Sequence, residues 1–126
     1  MRILFVTEFS PDTGAIADYT YHLSQALAED YDVQIDVLNV GGEEPDNMHN
    51  DVEVVGAIPE EPAGWEQYME QDYDLAHFHY YLPHLRSFLK YVLKGGEHPE
   101  LLMTLHDVPT EWKHRILFYV FRNLVL

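Results

Sequence analysis

The sequence predicts an α/β fold with a parallel sheet and helices on both faces. Two observations carry that prediction. Five short apolar runs of strand length recur along the chain, and the segments between several of them carry apolar residues at helical spacing. Strands alternating with helices at this spacing imply βαβ units and right-handed crossovers.

The elements follow in order. Residues 2–7, RILFVT, form a continuous apolar run, as expected of a strand buried on both faces. Ile16, Tyr19, Leu23 and Leu27, with Ala26 alongside, recur at spacings of three and four and predict a helix over about 14–29. Residues 32–40 alternate Val33, Ile35 and Val37 against Gln34, Asp36 and Leu38, the pattern of a second strand. Turn chemistry fills 41–51, and VEVVG at 52–56 is a third, short strand. Two prolines follow, then Trp65, Tyr68 and Met69 mark a short helix before Asp72. YDLAHFHYY, 73–81, is the fourth strand. Pro83 suits a first helical turn, Leu85, Phe88, Leu89 and Val92 make a stripe, and Gly95-Gly96 ends that helix after Lys94. ELLMTLH, 100–106, is the fifth strand, and 112–126 is a strongly apolar last helix. The expected architecture is one Rossmann-like domain over 1–126.

Composition narrows the function. The chain is 47% hydrophobic and has no cysteine, so it can bury a core but can form neither disulfides nor thiolate metal sites. No apolar run has the length of a membrane span and the first residues read as a strand, which makes the cytoplasm the expected compartment. Acids outnumber bases by 22 to 7, giving a formal charge of −15. Residues 1–80 carry all of that excess, with Arg2 as their single base. A surface of that sign argues against nucleic acid as a partner. With only 3 lysines it also suits high salt, where screening removes self-repulsion, so a halophilic origin is expected.

In open α/β sheets ligands bind beyond the carboxyl ends of the strands, which points to the loops at 8–14, 41–50, 79–83 and 106–111. Neither GxGxxG nor GxxxxGK[ST] is present, so no dinucleotide fingerprint or P-loop is expected. Gly14 either allows a backbone turn or turns the N–H groups of Gly14, Ala15 and Ile16 toward a phosphate or a sugar hydroxyl. Asp12 and Thr13 are good helix caps, and Asp18 suits the helix dipole. His77 and His79 share one face of a strand. That spacing suits two metal ligands which His106-Asp107 could complete, the pattern of a metal-dependent hydrolase; the other reading is packed core histidines. His106, at a strand end, suits either a ligand contact near neutral pH or a loop cap.

Taken together, three stretches resemble the N-terminal domain of a GT-B glycosyltransferase of the large retaining group called family 4. They are RILFVTEF with Ser10-Pro11-Asp12-Thr13-Gly14-Ala15-Ile16, Tyr19, Leu23 and Leu27; then Asp74-Leu75-Ala76-His77-Phe78-His79; then Thr104-Leu105-His106-Asp107. The resemblance implies transfer of a sugar from a nucleotide-sugar donor with retention at the anomeric carbon and without a metal or other cofactor. It implies catalytic roles for His106 and Asp107, and substrate binding by Gly14, Ala15 and His79. Ala15 stands where the family has its second glycine, and a methyl there limits close backbone approach. GT-B enzymes close two such domains over the donor, and only the first is represented here. The chain is therefore expected to be the acceptor-side half, a fragment or a short relative that works with a partner, and not active alone. The apolar helix 112–126 would then dock on the domain's own sheet, on a second domain or copy of the chain, or on a membrane carrying a lipid-linked acceptor. Without the resemblance, a non-catalytic interaction module of the same fold is the remaining expectation.

Overall fold

The computed structural model describes residues 1–11, 14–79 and 82–104, with the backbone alone for 82–84. Five strands, β1 (Arg2–Val6), β2 (Gln34–Asn39), β3 (Val52–Ala57), β4 (Leu75–His79) and β5 (Glu100–Thr104), form one sheet in the order β3-β2-β1-β4-β5. Every pairing in it is parallel. Helix α1 (Ala15–Tyr31) connects β1 to β2. A 3-10 turn (Pro62–Trp65) and α2 (Glu66–Met69) lead into β4, and α3 (Leu82–Leu93) links β4 to β5. The Rossmann-like α/β fold read from the sequence is the fold of the protein. The last helix, 112–126, lies outside the described residues.

The central strands of the sheet are buried on both faces. On the α1 side Ile3, Phe5, Ile35 and Val37 pack with Phe9 and Ala28. On the other side Leu4, Val6, Ala76 and Phe78 pack with Trp65, Met69, Leu85 and Phe88. Trp65 is fully buried, and its indole N–H donates to Ser87 Oγ at 2.9 Å.

Three details depart from the sequence pattern, each for a physical reason. Helix α1 runs to Tyr31 and ends on Asp32 in the left-handed conformation (φ 51°), so β2 begins at Gln34 rather than 32. Its buried stripe is Ala17, Thr20, Ser24 and Ala28, small residues that let the helix lie close to the sheet; Tyr19 is 48% exposed. Asp36, which alternation set on the polar side of β2, is buried beneath the second face. There its carboxylate accepts from Tyr73 Oη at 2.6 Å and from Arg2 Nη2 at 3.1 Å, and Arg2 also lies over the Tyr73 ring. Burial first, then the hydrogen bond to Asp36 and its charge, push the Tyr73 phenol well above its ordinary value.

Candidate functional site

The strand order turns around between β1 and β4, since β1 leads away to β2 on one side while β4 lies on the other. A crevice beyond the carboxyl ends of such strands is where α/β sheets hold ligands. Three sequence-predicted site residues fall there within the described part of the chain: Gly14, Ala15 and His79. His106 and Asp107 lie outside it, as do Asp12 and Thr13.

Beyond β1 the chain is anchored from below. Phe9 is fully buried, and Thr20 Oγ1 on α1 lies 2.8 Å from the Glu8 carbonyl oxygen. Gly14 then occupies the N-cap position of α1 with φ 128° and ψ 168°, a conformation that side chains rarely adopt. A Cβ added there would meet nothing within 4 Å, so the position is glycine for its backbone and opens to the outside. Glycine offers no side chain to cap the helix, and no side-chain cap is formed at this position. Ala15 already belongs to the helix and is not among the positive-φ residues, so its methyl group meets no backbone conflict.

On β4, His77 and His79 share the α1 side of the sheet with Phe5. Their imidazoles stack at 4.0 Å between centroids with 32° between planes. His77 Nε2 is 2.7 Å from Thr104 Oγ1 on β5, one of the two sharing its hydrogen. His79 is 1% exposed, with Phe5 at 5.0 Å and the edge of Tyr19 at 6.1 Å. The result is a continuous line of contacts, Thr104–His77–His79–Tyr19, running from β5 across β4 to the start of α1.

Stacked rings present faces to each other, while two histidines holding one ion must aim their nitrogen lone pairs at one point. Among the described residues no group of three or more His, Cys, Asp or Glu is arranged to hold a metal ion. Tyr19 is the member of this line that helical spacing grouped with Ile16, Leu23 and Leu27. The available signal was its neighbourhood, because Asp18 and His22 are polar at the spacing that puts them on the same flank as Tyr19.

A cavity of about 410 Å³ lies between α2 and the end of α3. Glu66, Glu70, Glu97, Lys94 and Tyr91 line it. None of the sequence-predicted site residues lines it. No helix among the described residues is long and apolar enough to cross a membrane. Comparison with models of protein families, with curated proteins and with solved structures returned no match to this chain.

Proposed function

We propose that this chain is the acceptor-side half of a GT-B, retaining glycosyltransferase. One observation supports the proposal: the carboxyl end of β1, which leads to Gly14 and Ala15, lies next to that of β4, where His79 pairs with Thr104 of β5, so motifs far apart in sequence share one edge of the sheet. In this reading a hydroxyl oxygen of the acceptor bonds to C1 of the donor sugar as the bond from C1 to the diphosphate breaks. The hydroxyl proton leaves with the diphosphate. The turn at Gly14 borders the phosphates and the acceptor, the buried His79 backs the cleft, and His106 with Asp107 stands beside the donor sugar. A second GT-B domain supplies most nucleotide contacts. The acceptor is a sugar or a lipid-linked sugar, with 112–126 as the segment that meets a partner domain, a second copy or a membrane. The acidic composition fits a halophilic, cytoplasmic setting, the charge of −15 being tolerable where salt screens it.

Titrating nucleotide-sugars into the ¹⁵N-labelled chain tests the reading. Amide shifts at Gly14, Ala15 and His79 at millimolar ligand are expected. Silence throughout would favour a non-catalytic interaction module. Zinc and a chelator, added in parallel melts, should leave the midpoint unchanged; a zinc-dependent rise would favour the metal-dependent hydrolase.

A further inference from the structure

We propose that the exposed ring of Tyr19 is the platform on which an uncharged pyranose ring of the acceptor stacks. Asp18 lies beside it and accepts hydrogen bonds from sugar hydroxyls. The inference rests on the glycosyltransferase reading and adds the residue on which the acceptor sugar stacks and the absence of charge on that sugar.

Three features of the site converge on it. Tyr19 is 48% exposed, and its ring packs at 61° against a buried residue of β4, 6.1 Å between centroids. That residue, His79, is 1% exposed and fixed between Phe5 and His77, and His77 is tied in turn to Thr104. A ring packed in this way has less freedom to lose when a ligand covers it, which favours binding. The apolar C–H face of a pyranose matches an aromatic face, and a phenol adds a polar tip at its rim.

There is also room. Ala15, Asp18, Tyr19 and His22 share the outward face of α1 at spacings of three and four, and all four are exposed. One turn away the backbone at Gly14 is open, with nothing within 4 Å of the Cβ it lacks. Charge sets the class of ligand. Glu8 lies half-buried in the loop after β1, Asp18 is exposed on the helix, and residues 1–80 have Arg2 as their one base, at the far end of the sheet. An anionic ring placed over Tyr19 meets repulsion from the neighbouring Asp18, whereas a neutral sugar offers it hydroxyl donors.

The test uses the whole 126-residue chain with three neutral trisaccharides as probes: maltotriose, mannotriose and chitotriose. Saturation-transfer NMR should show transfer to ring C–H protons of at least one. Its Kd should hold in Tyr19→Phe and rise about tenfold or more in Tyr19→Ala. Melting curves check that Tyr19→Ala stays folded. No transfer to any trisaccharide, or an unchanged Kd in Tyr19→Ala, overturns the platform. So does binding of uridine at Tyr19 in place of a sugar. UDP-glucose titrated into Tyr19→Ala separates the two readings. Shifts at Gly14 that persist while trisaccharide binding never depended on Tyr19 remove the platform and leave the glycosyltransferase reading standing. Tyr19-dependent trisaccharide binding with no response to any nucleotide-sugar keeps the platform and removes the donor.

Discussion

Asp36 is a carboxylate in the middle of a buried strand, 6% exposed, and it is tolerated because two donors reach it. Tyr73 is the more buried of those donors, and its raised phenol pKa gives stability a pH dependence. The unfolded chain releases the Tyr73 proton near pH 10, while the folded protein holds it to higher pH. This contribution is therefore fully present below about pH 10 and is lost as pH climbs beyond it. Tyr73→Phe should flatten that alkaline loss, read as urea midpoints from neutral to strongly alkaline pH. Tyr91, raised first by burial and then by Glu70, Glu66 and Glu97, leaves a residual slope. At neutral pH the same substitution should cost about 1–2 kcal/mol, because the buried Asp36 keeps Arg2 as its remaining partner of the two. Gly14→Ala should cost about 1–3 kcal/mol through its backbone alone, since the added methyl touches nothing. Alternation in β2 correctly set Asp36 opposite Ile35 and Val37. Helices on both faces were expected, but alternation could not tell which residues cover Asp36, because they come from 62–89, distant in sequence.

Among the elements, α3 was the most legible and α1 the least. The stop of α3 was written in Gly95-Gly96, and the structure uses both. Gly95 takes φ 88° and donates to the Val92 carbonyl at 2.9 Å, while the Gly96 amide donates to that of Tyr91 at 3.0 Å. Gly96 also lies against the Tyr91 ring, where a Cβ would come within 2.4 Å. That ring is held by its hydroxyl, which donates to the Glu97 carbonyl, so Gly96→Ala should destabilise by about 1–3 kcal/mol as overpacking, measurable by thermal melts. The same logic of a held aromatic applies to Trp65. Ser87→Ala should cost about 1–3 kcal/mol by depriving a fully buried indole N–H of its acceptor, and Ser87→Thr should recover part of it. In α1 the apolar residues at helical spacing were read as the contact face. Leu23 and Leu27 do pack against the core, partly buried, but the buried stripe is Ala17, Thr20, Ser24 and Ala28, whose small size matters more than their polarity. Hydropathy ranks Thr and Ser low and cannot see that their hydroxyls are satisfied within the helix and by the Glu8 carbonyl.

For the whole molecule, the topology was readable because each strand is short, apolar and separated by a crossover. The sheet order places β1 at the centre, so the loop carrying Gly14 and the end of β4 become neighbours without any local sequence signal linking them. That is why the line from Thr104 to Tyr19 emerged only in three dimensions. Charge acts at this scale as well. With Arg2 the one base among residues 1–80, self-repulsion is spread over most of the domain. Raising NaCl from about 0.1 to 1 M shortens the screening length from about 10 to 3 Å and should raise the melting midpoint. A flat or falling midpoint would count against a halophilic setting.

The small-residue stripe of α1 has one more effect, on what could be built over it. Ala17 and Thr20 fix the height of the helix start above the sheet, and the Thr20 hydroxyl joins it to the loop that precedes it. The height of the helix start, and of the Tyr19 ring it carries, is therefore set from underneath, and a methylene added at the fully buried Ala17 would have to be taken up there.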